Sequence, residues 1–170
     1  MQQRVLLGAG IDRMHAVRDL RVAVLRTRWY PEVVAGLRRV ALATLTAMGV
    51  PADRVLEIEV PGAYELPQAA CWLARAEDVD AIVALGCIVR GETPHFDHVA
   101  RAAVDGLLGV ALETGVPVGL GVITAETLAQ AEARSGEASG KGGNKGHEAA
   151  DAAVRMALAY RALEARRRSS

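Results

Sequence analysis

The segment AIVALGCIV, from Ala81 to Val89, is the longest uninterrupted apolar run in the chain. Its length is typical of a strand and is about half of what a membrane span needs. A strand that is apolar on both faces lies in the middle of a parallel sheet that helices cover on both sides. We therefore predict a buried central strand over these residues.

Strands and helices alternate on either side of this run. Further strands are predicted at Val22 to Leu25, Val55 to Val60 and Val116 to Ile123, and helices at Val33 to Met48, Leu66 to Ala76, Pro94 to Thr114, Thr127 to Ser135 and Glu148 to Ala165. Alternation with short connections is typical of an α/β fold in which a parallel sheet is flanked by helices. The sequence thus predicts three layers, α/β/α, around four parallel strands.

The length of 170 residues suits one domain, and there is no internal repeat or linker. Residues 1–19 are expected to form an N-terminal arm. The five glycines between Gly136 and Gly146 indicate a loop. The end of the chain, residues 166–170, is basic and is interpreted as a frayed, solvated tail.

Composition excludes several classes of protein. Twenty basic and twenty acidic residues give a formal net charge of zero, which argues against a general nucleic-acid or membrane-surface binder. The two cysteines, Cys71 and Cys87, have neither metal-site spacing nor a disulfide pattern, so we expect no metal and a cytoplasmic location. The glycine-rich segment lacks the phosphate-loop pattern, because no Ser or Thr follows Lys145.

Ligands of such sheets bind at the carboxyl ends of the strands. Two residues stand out in the first two segments at that edge. Trp29 follows the first strand, where its ring either caps the core or offers a flat surface for a planar ligand. Glu65 follows the second strand, where it either complements a helix dipole or accepts hydrogen bonds from ligand hydroxyls. The pattern alone leaves both alternatives open.

The third segment, from Arg90 to His95, has the features of an anion site. Thr93 is predicted to cap the next helix and Pro94 to be its first residue, which would leave backbone N–H groups for an anion such as phosphate. His95 lies in the same turn and could transfer protons near neutral pH, whereas an isolated surface histidine is more often inert. Arg134, after the fourth strand, either complements a helix dipole or holds phosphate.

Taken in order, these segments resemble the lumazine synthase family over about residues 20 to 163. The matching motifs are VPGAYELP at Val60 to Pro67, LGCIVRGET at Leu85 to Thr93 with His95, GVIT at Gly121 to Thr124, Gln130-Ala131, Arg134, and NKG at Asn144 to Gly146. The resemblance implies a flavodoxin-like sheet and a reaction without a cofactor. It implies the condensation of 5-amino-6-(D-ribitylamino)uracil with 3,4-dihydroxy-2-butanone 4-phosphate to 6,7-dimethyl-8-ribityllumazine, in riboflavin biosynthesis.

The resemblance also implies a role for each matching residue. Trp29 would stack on the pyrimidine ring, and the backbone of Cys87, Ile88 and Val89 would meet its polar edge. Ala63, Tyr64 and Glu65 would contact the ribityl chain, with the Glu65 carboxylate accepting from its hydroxyls. Glu92, Thr93 and Arg134 would lie at the phosphate, with His95 as the proton-transfer residue. Lys145 would lie near the ligand, and Leu120 would reach into the site of a neighbouring subunit.

Three departures from the common family pattern carry expectations of their own. Trp29-Tyr30 replaces Phe-Asn, so an aromatic ring is kept, whereas Leu120 replaces a common Phe and removes one aromatic wall. The loop between Arg134 and Asn144 is longer than in many bacterial members. The resemblance implies pentamers, which in some members of the family pack as twelve into a hollow shell. Since a longer loop should obstruct packing at the threefold axes of such a shell, we expect a free pentamer ahead of a decamer or a 60-subunit shell.

Two rival functions remain at this stage. A riboflavin synthase of related fold uses no phosphate ester, so the phosphate residues argue against it. A flavin- or lumazine-binding protein without catalysis would need the same pocket contacts, and the sequence leaves it open.

Overall fold

The computed structural model describes residues 16–76, 79–136 and 143–168. Its four strands form a single parallel sheet, which confirms the predicted α/β fold. The strands are β1 (Val22–Thr27), β2 (Val55–Val60), β3 (Ala81–Val89) and β4 (Val118–Ala125), in the spatial order β2-β1-β3-β4. As predicted, β3 is an inner strand, and eight of its nine residues are buried.

Helices cover both faces of the sheet. They are α1 (Pro31–Met48), α2 (Leu66–Arg75), α3 (His95–Thr114), α4 (Leu128–Glu132) and α5 (Lys145–Arg168), with short 3-10 turns at Ala52–Arg54 and Ala63–Glu65. Buried residues of α1, α4 and α5 pack with one face of the sheet, and those of α2 and α3 with the other. Both cores consist mainly of Ala, Val and Leu.

Small residues allow α5 to lie directly on its neighbours. A Cβ at Gly119 of β4 would collide with the backbone carbonyl of Ala149 in α5. A Cβ at Gly146 of α5 would collide with the carbonyl of Leu37 in α1. Glycine is required at both positions because backbone approaches backbone there.

Several element boundaries differ from the sequence-based prediction by a few residues, and those of β4 and α5 are two of them. β4 begins at Val118 rather than Val116, because Pro117 has no N–H for the ladder, although its carbonyl accepts a hydrogen bond from Ile82 N at 2.9 Å. α5 begins earlier than predicted, at Lys145, and continues through Arg168, so the first three residues of the predicted frayed tail are helical.

Some predictions fall on segments outside the described ranges. These are most of the N-terminal arm, residues 1–15, and the centre of the glycine-rich loop, residues 137–142. Across the described ranges, no helix combines the length and the apolar character needed to cross a membrane.

Candidate functional site

The register of the strands creates a crevice between β1 and β3. The ladder between these strands ends at Arg26 and Leu85, whereas β3 and β4 remain paired as far as Val89 and Ala125. The last four residues of β3 therefore extend past β1, with one backbone edge outside the sheet ladder. From β1 the chain passes to β2 on one side, and from β2 it crosses back to β3 on the other side of β1. This crevice is therefore the switch point, where such sheets bind ligands.

A cavity of about 400 Å³ occupies this crevice, a size suited to a small organic ligand. Four segments at the carboxyl ends of β1, β2 and β3 and at the start of α3 contribute its lining. The lining residues are Trp29, Tyr30, Gly62, Ala63, Tyr64, Glu65, Cys87, Ile88, Val89, Gly91, Thr93, His95, Phe96 and Val99.

Nine of the thirteen residues singled out from the sequence line this cavity. They are Trp29, Ala63, Tyr64, Glu65, Cys87, Ile88, Val89, Thr93 and His95. Glu92 is exposed in the same turn as Thr93 but does not line the cavity. Leu120, Arg134 and Lys145 do not line the cavity either.

The indole of Trp29 is an open surface of the cavity. Trp29 is 69% exposed, so the alternative of a ring that caps the core is excluded. A Cβ at Gly62 would stand 3.6 Å from Trp29 Cδ1 and 3.1 Å from Glu65 Oε2. Gly62, whose backbone is extended, therefore brings an aromatic ring and a carboxylate together because it has no side chain.

Glu65 occupies the N-cap position of α2, yet its side chain makes no capping hydrogen bond. Its carboxylate instead lies over Gly62 at the cavity wall. A carboxylate in that place is an acceptor for hydroxyl groups, while the nearby helix N-terminus favours its negative charge.

Tyr30 is a cavity residue that sequence reasoning missed. It has φ 54° and ψ 60°, and it is the one non-glycine residue with positive φ in the described ranges. This left-handed conformation costs an L-residue about 1–2 kcal/mol. The restraint comes from both sides: β1 ends at Thr27, and Pro31 fixes the first turn of α1. Asn, the common family residue here, tolerates this conformation well. The common Asn was therefore the available signal for a left-handed backbone at this position.

The end of β3 contributes backbone rather than reactive side chains. Burial raises the pKa of the Cys87 thiol to about 11, so it stays protonated at neutral pH and is not a nucleophile. Ile88 is buried in the core on the opposite face of the sheet from Cys87. The polar groups that this segment offers to the cavity are therefore those of its main chain.

The predicted cap at the start of α3 is wrong. The helix begins at His95, and Pro94 rather than Thr93 holds the N-cap position, with its carbonyl accepting from Asp97 N at 3.0 Å. Pro94 has φ −63° and ψ −2°, so its backbone is already close to helical although it holds the N-cap position. Thr93 is thereby left in a bend and its side chain, with His95, is part of the cavity lining. An anion bound there would meet first-turn N–H groups and an imidazole.

Arg134 and Lys145 form a second cluster, which does not line the cavity. The Arg134 carbonyl accepts a hydrogen bond from Lys145 N at 3.0 Å, and Lys145 Nζ lies 2.5 Å from Glu148 Oε2. The buried amide of Asn144 holds this turn: its Nδ2 donates to Ser135 O at 2.7 Å, and its Oδ1 accepts from Gly146 N at 2.8 Å.

This second cluster lies on the face of the sheet that α1 covers. A Cβ at Gly36 of α1 would stand 2.6 Å from Ser135 O, next to Arg134. The cavity, in contrast, takes Phe96 and Val99 from α3, on the other face.

Leu120 is 44% exposed on β4, the edge strand. Within the described residues, no three His, Cys, Asp or Glu side chains converge as metal ligands.

Comparison with known proteins matches one family along most of the chain. The family model for 6,7-dimethyl-8-ribityllumazine synthase matches residues 19–161. A protein of that name from Kineococcus radiotolerans is 50% identical over 144 residues, covering 85% of this chain and 87% of the relative. Proteins of the same name from Streptomyces coelicolor (47% over 147 residues; 86% and 89% covered) and Porphyromonas gingivalis (43% over 140; 82% and 85%) are similar.

Proposed function

The chain belongs to the 6,7-dimethyl-8-ribityllumazine synthase family, and we propose that its catalysis takes place in the cavity between β1 and β3. Its activity is that of a transferase in riboflavin biosynthesis. It condenses 5-amino-6-(D-ribitylamino)uracil with 3,4-dihydroxy-2-butanone 4-phosphate, and it releases phosphate and water. The observation that carries the location is that an aromatic surface, a carboxylate, an unpaired strand edge and a histidine line one cavity.

The pyrimidine substrate fits the side of the cavity formed by β1, β2 and β3. Trp29 supplies an exposed ring for stacking, and the overhanging backbone of Cys87 to Val89 supplies donors and acceptors for the pyrimidine edge. Ala63 and Tyr64 line the path of the ribityl chain, and the Glu65 carboxylate accepts from its hydroxyls.

The butanone phosphate fits the side formed by the turn before α3. Its phosphate lies at Thr93 and the first turn of α3, with Glu92 beside it. The ketone and the amine form an imine with loss of one water, phosphate leaves by elimination, and the ring closes with loss of a second water. His95 moves protons in these steps, while holding two reactants together supplies most of the acceleration.

We propose that the protein acts as a homopentamer, with a decamer or a shell as less favoured assemblies. Support comes from exposed apolar side chains on opposite faces of the fold. Leu108 and Leu112 are 58% and 76% exposed on α3. Met156, Tyr160 and Leu163 form a stripe on α5, also at least half exposed. Two different apolar faces on one subunit suit head-to-tail contacts, which close into rings.

In such a ring, a neighbouring copy would complete each cavity. Leu120 is the family position that reaches into a neighbour's site, and it is exposed on the edge strand. Arg134 and Lys145 do not line their own chain's cavity, so we propose that they serve the neighbour's phosphate as well. We also propose a cytoplasmic location, which is supported by two cysteines that are both free thiols.

An alternative is a flavin- or lumazine-binding protein without turnover, which the exposed Trp29 ring favours because it would stack on a flavin equally well. The deciding experiment is an absorbance assay for lumazine formation from the two purified substrates. Turnover that requires the phosphate ester supports the proposed function. Tight riboflavin binding without any turnover would establish the alternative.

A further inference from the structure

Arg90 stands where β3 ends and the turn toward α3 begins. A cation next to a phosphate-binding turn is expected to bind phosphate directly. Arg90 does not line the cavity, however, although Gly91, Thr93 and His95 do. The side chain of Arg90 is about one-third exposed, and its guanidinium contacts protein carboxylates instead.

The contacts of Arg90 join three elements of the fold. Its Nη1 and Nη2 donate to the two carboxylate oxygens of Asp97, in the first turn of α3, at 3.0 and 2.9 Å. Its Nε donates to Glu126 Oε2 at 2.7 Å, directly after β4. Its own backbone N–H donates to the carbonyl of Ala125 at 2.9 Å.

The guanidinium also covers an aromatic residue of the cavity. The central carbon of Arg90 lies 4.2 Å from the centre of the Phe96 ring, and Phe96 lines the cavity. Arg90 thus contacts the residue that follows His95, without contacting the cavity itself.

The positive charge of Arg90 is already neutralised. Hydrogen bonds from Arg90 hold the pKa of Asp97 below its usual value, so Asp97 is ionised at neutral pH. With Glu126, two carboxylates face one guanidinium, and the bidentate geometry to Asp97 uses the fork that only arginine has.

The turn itself has few other restraints. Gly91 to His95 are all exposed, and Phe96 is the first partly buried side chain after them. No atom outside its neighbours lies within 4 Å of where a Cβ of Gly91 would stand. Contacts at the two ends of the turn therefore have to set its conformation.

We propose that Arg90 is a positioning residue: it fixes the turn from Gly91 to Pro94 between β4 and α3 so that Thr93 and His95 face the phosphate. This inference rests on the proposed function in one respect, the assignment of phosphate to this turn. It differs from a role as phosphate ligand, because the geometry of the fork, and not the charge, is what the site needs.

The test compares Arg90→Ala, Arg90→Lys and Asp97→Asn in the full-length protein. All three should raise the dissociation constant of inorganic phosphate, measured by calorimetry, and lower kcat by about tenfold, since small displacements of reacting groups reduce rate strongly. The KM for the pyrimidine should change little. The double variant Arg90→Ala/Asp97→Asn should be no worse than Arg90→Ala, because both changes remove the same fork.

Arg155→Ala is the matched control, since Arg155 pairs with Asp151 on the surface of α5 and should leave every parameter unchanged. Normal kinetics in Arg90→Lys would overturn the proposal, because charge alone would then suffice. Equal changes in KM for both substrates would overturn it too, since they would indicate general disruption. If the unaltered protein forms no lumazine, the proposed function fails, and the phosphate titration still decides the role of Arg90.

Discussion

The cavity and the Arg134–Lys145 cluster are built in contrasting ways. The cavity lies at the switch point of the sheet, and its lining comes from the end of β3, from the segments that follow β1, β2 and β3, and from the first turns of α3. The cluster depends on one buried side chain, Asn144, and packs on α1 on the other face of the sheet. The cavity that we propose for the pyrimidine is thus built by the strand-end segments of one chain, whereas Arg134, the cation that we propose for phosphate, does not line that chain's cavity.

The largest single-residue effect should come from His95. We expect His95→Ala to lower kcat by about 100-fold, the lower end for acid–base residues, because proximity supplies much of the rate. Pyrimidine binding should be nearly unchanged. His98→Ala is the control, since His98 lies one turn further along α3, is exposed and does not line the cavity. Normal turnover in His95→Ala would remove the histidine from the mechanism.

Arg134→Ala tests the other region. Loss of a charged clamp on phosphate should cost about 1.5–3 kcal/mol, seen as a higher KM for the butanone phosphate and not for the pyrimidine. Steady-state kinetics with each substrate varied in turn measures this split. Equal effects on both substrates would show that Arg134 only stabilises the turn before Asn144.

Trp29→Ala tests the cavity. It should weaken binding of the pyrimidine or of riboflavin by about 1–3 kcal/mol, as for other aromatic stacking platforms. Ligand binding should quench the fluorescence of Trp29, whereas Trp72, which is exposed on α2 and outside the cavity, should stay unaffected. Quenching that persists in full in Trp29→Phe would contradict the assignment.

Gly62→Ala should have the smallest effect, about 1 kcal/mol on pyrimidine affinity, the lower end of overpacking costs. The new methyl group would stand 3.1 Å from Glu65 Oε2, so the carboxylate would have to shift, whereas its contact with Trp29 Cδ1 at 3.6 Å would be an ordinary van der Waals contact. The dissociation constant of inorganic phosphate serves as the control, and an equal change in it would place the effect outside the pyrimidine side.

Local pattern in the sequence was enough to find the strands, and the rule about strand ends then pointed to the segments after β1, β2 and β3 that line the cavity. Local pattern could not show that β3 extends four residues past its ladder with β1, because register is a long-range property. Phe96 and Val99 were missed for a similar reason, since their spacing is that of an ordinary core-facing helix. Thr93 had favourable capping chemistry, yet Pro94 holds the N-cap position and no side chain caps the helix.

The two regions also differ in how far the sequence could predict them. Trp29, Glu65 and His95 could be placed at one sheet edge because each follows a strand. Arg134 and Lys145 follow short helices and loops, where the position relative to a cavity depends on packing. The strand order adds that β4 is an edge strand, and Leu120 on this strand is 44% exposed.

The most direct test of the account asks whether the two regions act across subunits. His95→Ala and Arg134→Ala are each purified, then mixed in equal amounts, unfolded and refolded together. Lumazine formation is assayed at a butanone phosphate concentration far below the KM of Arg134→Ala, where both variants are nearly inactive. A ring of five 17.9-kDa chains, about 90 kDa by light scattering, should recover activity at about one site in four, because such sites combine intact residues from two different subunits. The same two variants, refolded separately and then mixed at the assay, are the control. A mixed assembly as inactive as its parents would contradict the account, since His95 and Arg134 would then have to serve the same chain's cavity.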